Sequence, residues 1–349
     1  MIVSHDLDWR LVLFFSVDLT DSSRISDNSR KSNDDTSWCQ LYSHFYELFP
    51  RELSSAYEEI QSFKEKSNNK GLYNTFFQLG NRFKLWKLIG DEMVFSVQLV
   101  DKTDVLFHAL VAIIAQKKYK AKLREFDKCR GFGDPSCKGG LWLAGFPVNN
   151  VKISFHASED ERDTKIPDDD YIGPSMNCGF RLTKLSTERK TVISVELAHL
   201  LSSVIDSSHL IDDSHEKMVL YYEGHVDLKG ILSGKSYPVF WIDTTCSKVN
   251  DDVLRSIKPV RNTETVSYLS SYFEASSHIT EPFIVKNGDT SVVPDKIMER
   301  FNKIKIGNRS GYYFNTIKDN KKDIGDIDAP CMVSKQFEKK KKRRPRRKK

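Results

Sequence analysis

Apolar and polar positions change period several times along the first hundred residues. Leu11 to Val17 reads Leu-Val-Leu-Phe-Phe-Ser-Val and ends at Asp18; an apolar run of this length predicts a central strand buried on both faces. Leu19-Thr20-Asp21-Ser22-Ser23 follows, a turn of small polar residues whose backbone N–H groups suit a phosphate. Residues 24–36 are rich in Ser, Asn, Asp and Arg and are expected to form a loop. From Trp38 to about Lys64 the spacing of Trp38, Leu41, Phe45, Leu48, Phe49, Leu53, Ile60 and Phe63 is helical, with a break expected at Pro50. Such an aromatic stripe favours a core or a dimer surface over a cofactor box. A second loop is expected over Ser67 to Tyr73. In Phe83 to Ser96, two apolar runs flank Gly90-Asp91, which predicts a β-hairpin carrying a carboxylate on its tip.

Farther along, Lys102 to Phe126 predicts a long helix with Val105, Leu106, Leu110, Ile113 and Ile114 on one face. Arg130 to Gly140 reads as loop, and Leu141 to Phe146 and Val151 to Phe155 as strands. Asp168-Asp-Asp-Tyr-Ile-Gly-Pro-Ser is an acidic turn leading into a helix over about Ser175 to Leu185. Thr191 to Val195, Val226 to Leu228 and Val239 to Ile242 read as further strands, and Glu196 to Val204 as a helix. This mixture predicts an α+β fold with helices packed on a sheet over residues 1–243. Beyond it the pattern weakens. Residues 244–334 hold one helix candidate, Asp295 to Ile304, and read as a small C-terminal extension, while 335–349 is an expected disordered tail.

Composition changes this picture little, and charge changes it at one place. Of 349 residues, 39% are hydrophobic and 29% charged, as in ordinary globular proteins. No apolar run reaches about 18 residues, so no membrane span is expected, and the N-terminus lacks the pattern of a secretory signal. The six cysteines are scattered without a C-x-x-C pair, which suits a reducing cytoplasm. The formal net charge is +6, but Lys339 to Lys349 alone holds ten cations, leaving −4 for the rest. The basic character belongs to the tail, which suits electrostatic binding of nucleic acid or simple solvation.

Two strand-end acids, Asp18 and Asp91, are candidates to reach a shared pair of divalent cations. The run Phe14-Phe-Ser-Val-Asp18-Leu-Thr, the hairpin Lys87-Leu-Ile-Gly-Asp91-Glu, the segment Asp170-Tyr-Ile-Gly-Pro-Ser-Met-Asn177-Cys-Gly-Phe-Arg181-Leu and then Val226-Asp-Leu-Lys229-Gly occur in that order. Together, over about Leu11 to Asp243, they resemble the catalytic domain of class III nucleotidyl cyclases, the adenylyl and guanylyl cyclase family. The resemblance implies a mixed sheet with a ferredoxin-like core and two divalent metal ions, Mn²⁺ or Mg²⁺. It implies that Asp18, Asp91 and the Leu19 carbonyl bind metal, and that the amides of Thr20, Asp21 and Ser22 hold the terminal phosphates. Lys87 and Asp170 match base-reading positions, Asn177 the ribose-orienting one, Arg181 the α-phosphate one and Lys229 the outer-phosphate one. It also implies a head-to-tail homodimer with two equivalent sites at its interface. The spacing itself agrees in one respect: Asn177 and Arg181, at i and i+4, share a helix face.

Lys87 donates and Asp170 accepts, a pairing that fits adenine, cytosine or uracil and suits guanine less well. The helical insertion Trp38 to Pro50, together with Lys84-Leu-Trp-Lys-Leu-Ile-Gly-Asp-Glu and Gly140-Leu-Trp-Leu-Ala-Gly-Phe-Pro-Val, is similar to the pyrimidine cyclases of bacterial Pycsar antiphage systems. That resemblance implies a cytoplasmic enzyme making cyclic UMP or cyclic CMP, which activates a partner effector. UTP is the expected substrate, CTP or ATP the alternative, with Trp86 or the insertion narrowing the base pocket. Two rival readings exist: a non-enzymatic nucleic-acid binder on a degenerate cyclase fold, and a diguanylate cyclase, whose hairpin carries two glycines where this one has Ile89-Gly90.

Overall fold

The expected central strand is β2, Arg10–Leu19, buried along almost its whole length. Leu11, Leu13, Phe15, Val17 and Leu19 enter one apolar cluster, and Val12 and Phe14 enter another. The alternation of a strand therefore feeds two cores at once. The computed structural model describes residues 2–31, 37–66, 81–156, 169–205, 218–244, 259–276 and 278–309. The architecture is α+β with helices packed on a mixed sheet, as the sequence predicts.

Around β2 run β3 (Lys84–Ile89), β4 (Glu92–Leu99), β5 (Cys137–Phe146), β8 (Lys190–Ile193), β9 (Leu220–Val226) and β10 (Tyr237–Asp243). The seven-stranded order is β3-β4-β2-β5-β8-β10-β9, and every pairing is antiparallel except β5 with β8. A second sheet joins β1 (Ile2–His5), β6 (Val151–His156) and β7 (Asp169–Ile172) in the order β1-β6-β7.

The large core lies between one sheet face and the helices α2 (Ser37–Lys66), α3 (Asp104–Arg130) and α5 (Val195–Ile205). The smaller cluster on the other face includes Phe14, Val94, Trp142 and Met176, covered by α4 (Pro174–Leu182).

Several local expectations change. Residues expected to be loop form α1, Ser22–Lys31, a polar helix held by the single fully buried apolar side chain Ile25; positions 32–36 and the expected loop at 67–73 lie outside the described residues. Pro50 does not divide α2. Leu41, Phe45, Phe49, Leu53, Ala56, Tyr57 and Ile60 are all buried on one face, and that burial outweighs the backbone hydrogen bond a proline forfeits. The acidic turn expected around Asp168–Tyr171 is the strand β7 from Asp169 on, and the strand expected at Val226–Leu228 ends, rather than begins, at Val226. The C-terminal region contributes α6 (Asn262–Ala275), absent from the periodic reading, and α7 (Asp295–Arg309). Leu269, Phe273 and Ile279 join the main core, and Trp9 packs at a tilt against Phe283 and Phe301.

No helix among the described residues is long and apolar enough to cross a membrane. Cys39, Cys129, Cys137 and Cys178 carry no disulfide. The basic tail lies outside the described residues.

Candidate active site

Strand register sets the surroundings of Asp18. It stands opposite Glu92 in β4 and opposite Lys138 in β5, so all three side chains share a sheet face. Lys138 Nζ lies 3.3 Å from Asp18 Oδ2, whereas Asp18 Oδ1 is buried with no hydrogen-bond partner. The hairpin tip joins this group. Gly90 takes φ +62° at the first central position of a two-residue turn, a conformation that favours glycine, and Asp91 follows it. The Leu19 N–H donates to the Asp91 carbonyl at 3.4 Å, Ser22 Oγ donates to Asp91 Oδ2, and Tyr46 Oη on α2 donates to the Gly90 carbonyl. The tip is thus fastened both to the chain leaving β2 and to α2.

The electrostatics of this end are lopsided. Burial, and then the Asp91 charge, push Asp18 up to about 6 despite the opposing Lys138; Glu92 adds a smaller push. Glu92 is itself raised, mainly by burial, although the Ser16 hydroxyl donates to it. Tyr42 on α2 is raised by burial and by the nearby Asp91 and Asp18 charges. Three carboxylates therefore face Lys138, with Lys184 adding a weaker attraction for Glu92. A buried, unpartnered carboxylate oxygen beside a second carboxylate is a hard-oxygen donor set short of positive charge, and that fits a divalent cation. The side-chain oxygens within reach of such a cation would be those of Asp18 and Asp91, with the Leu19 carbonyl as backbone candidate. Among the described residues no group of three or more His, Cys, Asp or Glu side chains is arranged to hold an ion.

The following loop is partly committed. The Thr20 N–H donates to the Ser136 carbonyl at 2.8 Å and Thr20 Oγ1 accepts the Ser136 N–H at 3.0 Å, so Thr20 is tied to the start of β5. Asp21 takes φ +59°, and its carbonyl accepts the Ile25 N–H to open α1. The first-turn N–H groups of α1, beginning at Ser22, thus follow directly on the acidic cluster.

A second group lies on the same sheet face. The β3–β4 ladder slips between Leu85 and Lys87, so Trp86 and Lys87 both engage that face. The Trp86 ring packs edge-on to Phe14 and Tyr171, and its Nε1 donates to the Asp169 carbonyl at 3.3 Å. Lys87 Nζ, 5.0 Å from the Trp86 ring centre, donates to both carboxylate oxygens of Asp170 at 3.0 Å. Asp170 comes from β7, so the second sheet delivers it.

The helix α4 rests closely on β5. A Cβ on Gly179 would lie 2.3 Å from the Trp142 ring, and one on Gly140 would lie 2.6 Å from the Thr183 methyl carbon. Larger residues at either place would lift the helix. Met176, Gly179 and Leu182 face inward while Asn177 and Arg181 are exposed one turn apart. An Arg181 guanidinium nitrogen lies 3.9 Å from where a Gly230 Cβ would stand, in the turn that also carries the exposed Lys229.

The structure therefore brings Asp18 to Asp91, Lys87 to Asp170, and Arg181 to the Lys229–Gly230 turn. Among the described residues no hydrogen bond or ion pair joins the acidic group to the others. Sequence reasoning assigned no role to Glu92, Lys138, Ser136, Tyr42 or Tyr46. Only Glu92 carried a local signal, its place beside Asp91; the rest depend on pairings between distant segments.

No family model matches the chain, and no curated protein matches it. Solved structures of nucleotide cyclases do align with it. The adenylyl cyclase CyaB from P. aeruginosa matches at 15% identity over 70% of this chain and 98% of that one, with a TM-score of 0.42. The guanylyl cyclase Cya2 matches at 14% identity over 70% and 97%, with a TM-score of 0.39. A bacterial light-regulated adenylyl cyclase matches at 11% identity over 76% and 58%, with a TM-score of 0.43.

Proposed function

We propose that this chain is a nucleotidyl cyclase that converts UTP to 3′,5′-cyclic UMP and pyrophosphate. The observation that carries the reading is the buried, unpartnered oxygen of Asp18 beside Asp91, at the end of a strand whose sheet face also holds the Lys87–Asp170 pair. Two divalent cations bound by Asp18, Asp91 and the Leu19 carbonyl would lower the pKa of the ribose hydroxyl and neutralise triphosphate charge.

The chain's own groups do the positioning. Lys87 donates to the base and Asp170 accepts from it, matching O4 and N3–H of uracil. The Asn177 amide orients the ribose so that the 3′-oxygen faces the α-phosphorus. That oxygen forms the new P–O bond as the bond to pyrophosphate breaks, and the hydroxyl proton leaves to solvent. The Arg181 guanidinium offers planar donors to the charge growing on the α-phosphate oxygens, Lys229 holds the outer phosphates, and the amides of Asp21 and Ser22, with Thr20 bracing the loop, receive the terminal one. Holding the reactants in line supplies most of the acceleration.

A free cyclase chain would need Lys87 and Asp170 to part or to bind the base as a unit, since they now satisfy each other. We assign the acidic group and the Arg181 group to different subunits of a head-to-tail homodimer, each pair of chains forming two sites. Exposed Leu85, Leu88 and Ile89 on the edge strand β3 supply apolar surface for such contact. Trp86, wedged among Phe14, Tyr171 and Phe180, fixes the floor beneath Lys87 and narrows the space for a base. A cytoplasmic antiphage role, with the product activating an effector, belongs to the same proposal and rests on the likeness to Pycsar cyclases.

The test is incubation of purified protein with each NTP and Mn²⁺ or Mg²⁺, with the product identified by mass spectrometry and Asp91→Ala as control. Cyclic UMP is expected. Faster conversion of CTP or ATP would reassign the base, and no product from any NTP would leave a nucleic-acid-binding protein on a cyclase-like fold. For the basic tail, truncation after Gln336 is expected to remove salt-dependent nucleic-acid binding; binding that is absent from the intact chain would discard that role.

A further inference from the structure

The helix carrying Asn177 and Arg181 has no cap of its own. Its N-cap is Gly173, without a side chain to accept a first-turn N–H. The acceptor comes from elsewhere. Asn150, in the turn between β5 and β6 and fully buried, accepts the Ser175 N–H on Oδ1 at 3.0 Å. Its Nδ2 donates to Ser175 Oγ at 3.1 Å and to the Gly145 carbonyl at 2.9 Å. The two segments interlock: a Cβ on Gly173 would lie 2.4 Å from Asn150 Oδ1 and 2.7 Å from Asn150 Cα, and Gly173 has φ +144°. Asn150 thus does from a distant turn what a capping side chain does locally.

The neighbouring Asn149 is gripped by the C-terminal segment. Its Nδ2 donates to Thr280 Oγ1 at 3.3 Å, and its Oδ1 accepts from Arg300 at 2.7 Å. That segment is itself anchored by Val293 and Ile297 on Val148, by Trp9 against Phe301, and by the Lys286–Asp101 ion pair. An unbroken series of contacts therefore runs from residues 278–309 through Asn149 and Asn150 to the start of α4.

We propose that Asn150 is a positioning residue for α4, and that the C-terminal segment, through Thr280 and Arg300 on Asn149, sets where Asn177 and Arg181 stand. The inference rests on the cyclase reading for its kinetic consequence. Arg181 is six residues beyond Ser175, about 9 Å along the helix, so a tilt of about 10° at the cap shifts it by about 1.5 Å. A misplacement of about 1 Å can cost roughly 10²-fold in rate.

The experiment compares full-length wild type, Asn150→Ala and the double variant Thr280→Val/Arg300→Ala. It measures kcat, KM, Tm and amide hydrogen exchange across residues 175–182. For Asn150→Ala the expected result is a kcat loss of about 10–100-fold, with KM changed less than about threefold. The double variant, which removes one part-buried and one exposed hydrogen bond, is expected to lose about 3–10-fold in kcat with Tm lowered by no more than a few degrees. Both should exchange faster across α4. Unchanged α4 exchange in both variants would overturn the proposal, as would a lowered Tm with wild-type kcat in Asn150→Ala; wild-type kcat and exchange in the double variant would overturn the role of the C-terminal segment. If wild type makes no cyclic nucleotide while α4 exchange still rises in the variants, the cyclase reading fails and the positioning role stands.

Discussion

Asp18 and Lys87 project from the same sheet, two strands apart, yet their surroundings differ in kind. Around Asp18, three carboxylates outnumber the lysines Lys138 and Lys184 and an oxygen lies buried without a partner, so burial and like charge raise its pKa. Around Lys87, one cation meets one carboxylate in a two-oxygen contact, braced by a tryptophan below. On the proposed reading, the first region gains from a cation. The second already satisfies itself, and on the same reading it would give up that internal pair to receive a base. A chain has little reason to gather three acids and leave a buried carboxylate oxygen without a partner for stability, because like charge and an unsatisfied buried polar atom cost free energy. On the proposed reading, the acidic end is where function overrides stability.

Three experiments press on that contrast, and a fourth tests a carboxyl outside both regions. The largest effect is expected from Asp91→Ala, which removes one of the two acids proposed to bind a cation, and from Arg181→Ala. Each should lower kcat by at least about 10²–10³-fold. Mixed in equal amounts, the two inactive variants should recover about a quarter of wild-type activity if sites form between subunits, since half the dimers then hold one intact site. No recovery after subunit exchange would place the whole site within one chain.

Next in size is the stability conferred by a cation. Saturating Mn²⁺ should raise the Tm of wild type by several degrees, as a ligand at about 100 times its Kd contributes roughly 2.7 kcal/mol. In Asp18→Asn the rise should vanish while the metal-free protein becomes more stable than wild type at pH 8. An equal Mn²⁺ response in both would move the cation elsewhere. Smaller still, Lys87→Met should lower kcat/KM for the preferred nucleotide about 10–100-fold and narrow the preference among bases. Loss without change in preference would deny Lys87 a base-reading part.

The smallest effect concerns Glu196 at the start of α5, which burial pushes from its ordinary 4.5 up to about 7. The folded state then binds more protons than the unfolded one across that window, so stability falls as pH rises from about 4.5 to 7. Glu196→Gln should match wild type at pH 4.5 and exceed its Tm by a few degrees at pH 8. Parallel Tm–pH curves for the two proteins would show that this carboxyl is not the source of the slope.

What the chain's order of residues determined is local. The unbroken apolar run of β2, the Gly90-Asp91 turn and the i, i+4 placement of Asn177 and Arg181 each follow from a period or a turn contained within a dozen residues. The long helix α3 was legible for the same reason. The tertiary structure alone decided the partners. Lys138 meets Asp18 through a ladder between segments about 120 residues apart, and Asp170 meets Lys87 across 83 residues. The strands β1 and β7 were illegible because each is four residues long and is defined by β6 beside it. The polar helix α1 and the uninterrupted α2 run against local preference, and packing against the core overrides that preference. Periodicity records which face a residue turns inward. Which residue waits on that face is set by strand register, a property of chain segments that meet only on folding.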